Sequence, residues 1–320
     1  MTADRSPVLR RVVAGLAAAA VLVPLLLLWQ TSRTPGRFSV SEAGAFERGS
    51  GPRVTTLEGH AGHGGGPAAA ATSVDALVAP PGPADVALTL TARAERVELA
   101  PGVATDAYTV NGTTPGPTLR AAQGDVVEVR FVNESVAGGA TLHWHGIDVP
   151  NAADGVAGVT QDAVPAGGSH TYRFVVADAG TFWYHSHQVS HEQVRKGLLG
   201  AVVVSPRRDA RPVGGPEVAR LLDDAVDVPA LVHRYGARRT VQGATGDLPV
   251  DVPPGTAARV RVINTDNGVL PVWVGGAAFR LLAVDGTDVH GPPEVRDRAV
   301  VVPAGGRADL LVVAPADGSA

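Results

Sequence analysis

From Asp85 onward, short strand-like runs rich in apolar residues are separated by glycine, proline and asparagine. Val86-Ala-Leu-Thr-Leu-Thr-Ala92 alternates apolar with polar or small residues, the period of a strand with one face buried. Further strands are expected near residues 107–110, 126–133, 141–145, 169–176, 181–185 and 198–204. Asn111-Gly112, Pro115-Gly116-Pro117, Gly138-Gly139 and Gly167-Gly168 supply the turns. No helical period intervenes, which argues against a parallel sheet with crossover helices and for antiparallel strands in a Greek-key sandwich. The pattern then repeats. Arg259-Val-Arg-Val-Ile-Asn264 echoes Val127-Glu-Val-Arg-Phe-Val-Asn133, and strands are expected at 279–285, 299–302 and 307–313, with turns at Asp285-Gly286 and Gly305-Gly306. Residues 213–249 read as loop. The fold class expected is therefore all-β: two sandwich domains, 85–206 and 207–320.

The first 84 residues break this rhythm. Arg10-Arg11 precedes an uncharged run from Val12 to Trp29, long enough to cross a bilayer and interrupted by Pro24. No small-x-small cleavage site follows Trp29, so residues 1–30 are read as an uncleaved anchor rather than a removed signal. Arg5, Arg10 and Arg11 before it, against Arg33 and Arg37 after it, favour a cytoplasmic N-terminus and folded domains outside the cytoplasm. Secretion after cleavage is the alternative, and the flanks of the arginine pair fit a twin-arginine signal poorly. Residues 31–84, rich in Gly, Ala, Ser and Pro, read as a flexible tether. Its His60 and His63 sit in a His/Gly tract that is read as solvated linker rather than a metal site.

Composition changes the picture in three ways. A chain of 320 residues holds two ordinary domains, and 39 glycines with 25 prolines suit many strands joined by turns. A net charge of −4 without a basic patch gives no sign of a nucleic-acid partner. The absence of cysteine excludes disulfides, thiolate metal sites and cysteine nucleophiles.

The chemistry concentrates between Thr141 and His187. Leu142-His143-Trp144-His145-Gly146 and Trp183-Tyr184-His185-Ser186-His187 each carry His-x-His in a strand-like run. Residues two apart on a strand share a face, roughly 6.6 Å from each other, so each pair points one way. Two pairs on neighbouring strands put four imidazoles into one pocket, a donor set suited to copper, zinc, iron or nickel. A lone histidine is better read as structural; four at these spacings are better read as ligands. Trp144 and Trp183 are expected to face away from their neighbouring histidines and pack in the core.

The run from Thr141 to Val204, with Tyr108-Thr-Val-Asn-Gly-Thr-Thr-Pro-Gly-Pro-Thr-Leu119 and Gly124-Asp125 upstream, resembles the first cupredoxin domain of a laccase-like, three-domain multicopper oxidase. The resemblance is strong over residues 85–206 and weak elsewhere. It implies that His143 binds the lone type 2 copper and that His145, His185 and His187 bind the type 3 pair of a three-copper cluster reducing dioxygen to water. It also implies that Asp154, in Asn151-Ala-Ala-Asp-Gly155, relays protons; the plainer reading of Asp154-Gly155 is a turn. The family's type 1 (blue) copper positions fall on Ala140, Ser186, His191 and Lys196, so only one ligand remains, and the type 1 site is expected to be absent. His191, His170, His233 and His290 then have structural or solvent-facing readings. Val272-Trp273-Val274 stands where a second His-Trp-His would be, so the second sandwich is expected to be copper-free.

In the family, a third domain supplies the other four cluster histidines and the type 1 site. The expectation is therefore a truncated chain, inactive alone, completed in cis or by a partner chain. Dioxygen and an electron donor, a phenol or a metal ion such as Cu(I) or Fe(II), would be its partners. The competing class is a membrane-anchored copper-binding or copper-resistance module without oxidase activity, separable by copper stoichiometry. A cupin would place a glutamate soon after the histidines, and none lies between His145 and Gln161. A zinc amidohydrolase would need alternating strands and helices.

Overall fold

The computed structural model of the chain describes residues 6–31, 81–207, 209 and 214–318; the tether with His60 and His63 lies outside them. Helix α1 (Ser6–Thr31) forms a unit separate from the β-structure. Its stretch Arg11–Gln30 has a mean hydropathy of 2.5 and is wholly exposed. At 1.5 Å per residue, its 20 residues match the hydrocarbon core of a bilayer. A signal sequence has the same length and composition.

The first sandwich is built from β1 (Val86–Ala100), β2 (Val103–Val110), β3 (Gly116–Ala122), β4 (Val126–Asn133), β5 (His143–His145), β6 (Gly168–Val175), β7 (Gly180–His185) and β8 (Leu199–Ser205), with a short helix α2 (Ser190–Arg195) between the last two. Its sheets have strand orders β2-β1-β4-β6 and β3-β8-β7-β5. The inward positions of both sheets meet in one core that includes Leu90, Val129, Phe131, Leu142, Trp144, Tyr172, Phe174 and Tyr184. Full burial of each large apolar side chain contributes about 1.5–3 kcal/mol. In β4, Val127, Val129, Phe131 and Asn133 are buried and alternate with partly or fully exposed neighbours, the predicted period.

The second sandwich comprises α3 (Gly215–Asp223), β9 (Val226–Tyr235), β10 (Arg238–Val241), β11 (Ala257–Asn264), β12 (Leu270–Val272), β13 (Phe279–Val284), β14 (Thr287–Asp288), β15 (Glu294–Val295), β16 (Val300–Val302) and β17 (Arg307–Val313). One sheet runs β10-β9-β11-β17-β13-β14, with β15 also pairing β13, and β12 pairs β16 as a separate ribbon.

Three expectations need correction. The sheets are mixed: β1 pairs β4, β3 pairs β8 and β9 pairs β11 in parallel, because Greek-key connections carry the chain across the sandwich between these strands. The segment 213–249, read as loop, holds α3, β9 and β10. The helix is short, with Pro216 in its first turn, and buries Val218 against Ala257, Leu282 and Leu311. Pro229 masks the run of β9, and tertiary packing overrides such local signals. Strand β3 begins inside the expected Pro115-Gly116-Pro117 turn, and its Leu119 and Ala121 are buried.

The two sandwiches share an apolar seam: Trp183, Val194, Leu199 and Ala201 from the first pack with Leu231 and Ile263 from the second. Beside it lies an ion network. Asp309, 1% exposed, accepts from Arg259 at 2.6 Å, Arg261 at 3.1 Å and the Thr181 hydroxyl at 2.6 Å. Asp227 bonds Arg261 and, at 2.7 Å, Arg120 of β3.

Candidate metal centre

Strands β5 and β7 pair antiparallel with His143 opposite His185, Trp144 opposite Tyr184 and His145 opposite Trp183. The register therefore puts His143, His145 and His185 on one face, and their candidate ligand atoms lie within 4.8 Å of one another. His187 lies two residues past the end of β7, its backbone N–H donating to the Thr141 hydroxyl at 3.2 Å. From there its ring sits 5.2 Å from that of His143 and 6.1 Å from that of His185, centroid to centroid. Rings 143 and 185 are 5.3 Å apart, and rings 145 and 185 are 5.5 Å apart. Four imidazoles thus converge at the edge of the β3-β8-β7-β5 sheet.

Two rings have fixed tautomers. The Nδ1–H of His143 donates to the Asp154 carbonyl at 2.9 Å, and that of His185 donates to the Ser186 carbonyl at 2.9 Å. Each Nε2 is left as an acceptor, the arrangement in which a backbone carbonyl orients a metal-binding imidazole, and that of His185 lies 3.3 Å from His145 Nδ1. Burial, with the Arg307 charge and neighbouring histidines adding to it, lowers the pKa of His145 to about 4. Burial lowers His185 to about 3, against the raising effect of its bond to Ser186. Both rings are neutral at pH 7, as ligands must be. The donor set fits copper: imidazole nitrogens without a thiolate, close enough together to share a metal site.

The surroundings explain the local sequence. Trp144 faces the core, as expected, 1% exposed, and its indole N–H donates to the Ala153 carbonyl at 3.0 Å. That bond holds the 3-10 turn Asn151–Ala153 under β5, which presents Asp154. The Asp154 carboxylate lies 3.2 Å from His143 Nδ1 and remains partly exposed. Gly155 has φ +72°, and a β-carbon there would meet the Leu142 carbonyl oxygen, so only glycine lets this turn approach β5.

Trp183 departs from expectation. Two residues before His185 on the same strand, it shares the histidine face rather than opposing it. Its ring stacks on His145, with centroids 4.8 Å apart and planes at 26°, and lies 4.2 Å from His185. The alternation that correctly turned Trp144 inward also turns Trp183 toward the site.

Of the positions compared with the blue site, Ala140 is buried, Ser186 is buried with its hydroxyl donating to Gln193 at 2.6 Å, and Lys196 pairs with Glu192 at 2.8 Å. His191 is exposed on α2. His233 is buried and bonded to the Thr265 hydroxyl at 2.8 Å, a structural histidine. Sequence reasoning missed the contribution of the second sandwich. The Trp183 indole N–H donates to the Gly305 carbonyl at 3.3 Å, a β-carbon on Gly305 would sit 3.0 Å from the His145 ring, and Arg307 lies beside Gly146. Gly305-Gly306 reads only as a turn in the sequence.

Residues 91–209 match the family described as multicopper oxidase. This part of the chain belongs to that family. Laccase-1 of Botryotinia fuckeliana is 30% identical over 243 residues, covering 68% of this chain and 41% of that protein. The iron transport multicopper oxidase fetC of Epichloe festucae (strain E2368) is 33% identical over 196 residues, 55% of this chain and 31% of its own length. The crystal structure of a multi-copper oxidase from Pseudomonas thermotolerans superimposes with a TM-score of 0.61 at 30% identity, over 72% of this chain and 58% of the other. The chain thus spans about two fifths of the length of the first of these curated relatives. Multicopper oxidase membership implies copper, and the histidine cluster lies inside the matched segment.

Proposed function

We propose that this chain is part of a laccase-like multicopper oxidase and contributes one half of its oxygen-reducing copper cluster. The observation that carries the reading is the convergence of four imidazoles, two of them with Nδ1 tied to a backbone carbonyl so that Nε2 carries the lone pair. His143 would hold the type 2 copper, and His145, His185 and His187 the type 3 pair. When bound, copper supplies the redox chemistry by which four electrons from a reductant pass to dioxygen, giving two waters.

The chain's own residues do the rest. β5 and β7 aim the imidazoles of His143, His145 and His185 at one site, burial holds His145 and His185 neutral, and the Nδ1 contacts stop the rings of His143 and His185 from flipping. Water formation consumes four protons, and the partly exposed Asp154 carboxylate is positioned to pass them inward from solvent. The electron donor is a phenol or a metal ion. We assign α1 to membrane attachment, with the folded part outside the cytoplasm, and the remaining cluster ligands to a third cupredoxin domain in cis or on a partner chain.

Metal analysis of the purified chain after exposure to Cu(II) tests the assignment. Copper should be taken up, and His145→Ala combined with His187→Ala should abolish uptake while far-UV circular dichroism stays unchanged. Equal uptake by that double variant overturns the reading.

A further inference from the structure

Arg307, the first residue of β17, is 5% exposed, yet it belongs to the second sandwich and reaches into the first. Its Nε–H donates to the Thr181 carbonyl of β7 at 3.1 Å, its Nη1 to the Gly305 carbonyl at 3.3 Å and its Nη2 to the Asp285 carbonyl at 3.0 Å. The Asp285 carboxylate lies 3.1 Å from Nη1 and also accepts the Arg307 backbone N–H at 2.9 Å. The guanidinium sits 5.8 Å from the Phe182 ring centroid, on its face. It also occupies the space a β-carbon on Gly146 would need, and Gly146 has φ +87°. The glycine that closes the His-x-His-Gly run is thus doubly required, by its backbone and by an arginine 161 positions downstream. The same arginine fixes the turn before it. That turn sets Gly305 against the His145 ring, and the Gly305 carbonyl receives the indole N–H of Trp183, the ring stacked on His145.

We propose that Arg307 is a positioning residue of the copper cluster: it clamps the second sandwich onto the Gly146 turn and β7, so that Gly305 and Trp183 hold the His145 ring in its ligating orientation. The inference rests on the cluster reading above and goes beyond it, since it assigns part of the site's geometry to a sandwich that carries no cluster histidine. The guanidinium fork is the essential feature. Three carbonyls from three segments converge on it, and an ammonium at the end of a lysine cannot meet them in one plane. Arg259 serves as the contrast. It is also part of the inter-sandwich ion network, bonded to Asp309, but among the described residues no hydrogen bond or ion pair ties it to His145, Trp183 or the Gly146 turn.

The test is Cu(II) affinity of the full chain, by competition with a chelator, together with the electron paramagnetic resonance spectrum of the bound ion. Arg307→Lys should fold, shown by a cooperative melt, bind Cu(II) about 10–100-fold more weakly and show altered nitrogen hyperfine structure, the range typical when support of a metal ligand is lost. Arg259→Lys should lower the melting temperature without changing affinity or spectrum. If Arg307→Lys does not fold, Asp285→Asn replaces it; that variant loosens the same guanidinium and should weaken binding in the same direction. A folded Arg307→Lys, or in its place Asp285→Asn, with wild-type affinity and spectrum overturns the clamp. A wild-type chain that takes up no Cu(II) overturns the cluster reading and the clamp with it.

Discussion

At the scale of single residues, the site depends on keeping imidazoles uncharged and aimed. His145 and His185 have folded pKa values of about 4 and 3, below the ordinary histidine value of 6.5, chiefly because burial penalises the charged ring. The sign follows by linkage. Below pH 6.5 the unfolded chain takes up protons that the folded chain refuses, so stability rises with pH between about 3 and 6.5, and this contribution levels off above. In the metal-free chain, His185→Gln should therefore flatten the dependence of melting temperature on pH between 4 and 6.5. A variant that melts along the wild-type profile across that window would show that His185 is not held neutral by its surroundings. Asp154 acts on the same ring set through His143, and the tie of its carbonyl to Nδ1 leaves Nε2 with the lone pair.

At the scale of elements, two short strands and one turn make the cluster, and the turn is the more fragile part. The 3-10 turn Asn151–Ala153 hangs from the buried Trp144 indole, and Gly155 closes against the Leu142 carbonyl. Gly155→Ala combines a positive φ with a clash against backbone, so it should destabilise the chain by more than about 1 kcal/mol and displace Asp154 from His143. Urea denaturation measures the first effect, and the side-chain nitrogen resonances of His143 report the second. Trp144→Ala should cost about 3–5 kcal/mol, as for a large aromatic removed from a packed core, and it releases the same turn. Unfolding free energies within about 0.5 kcal/mol of wild type for both variants would sever the proposed link between core and turn.

At the scale of the whole molecule, the second sandwich braces the histidine-bearing one. Asp309 is the keystone of the ion network, meeting Arg259, Arg261 and the Thr181 hydroxyl in a nearly dry seam. Asp309→Ala leaves two guanidinium groups without that partner and should cost about 3–5 kcal/mol, the usual penalty for half of a buried ion pair. Differential scanning calorimetry reads the loss directly. Helix α1 concerns the remainder of the chain. If Arg11–Gln30 anchors it, the full chain should stay with membranes through alkaline carbonate washing, and deletion of residues 1–31 should release it. Recovery in the wash of a chain lacking residues 1–30 would favour a removed signal.

Much of the molecule was legible without coordinates, because the signals involved are local. Alternation marked β1 and short apolar runs marked β4, β7 and β17; the glycine and proline punctuation marked most turns; two His-x-His runs marked the site. A strand forces residues two apart onto one face, and that constraint acts within five residues of sequence. Tertiary structure decided everything that depends on which strand lies beside which. It paired His145 with Trp183, bringing that ring into the site, and made strands of β3 and β9 despite their prolines. It also carried Arg307 from the second sandwich to the glycine that ends the first histidine motif. Such contacts join residues tens of positions apart, 161 in the last case, and the free energy that selects them comes from packing and buried charge pairing, which leave no periodic trace along a single chain.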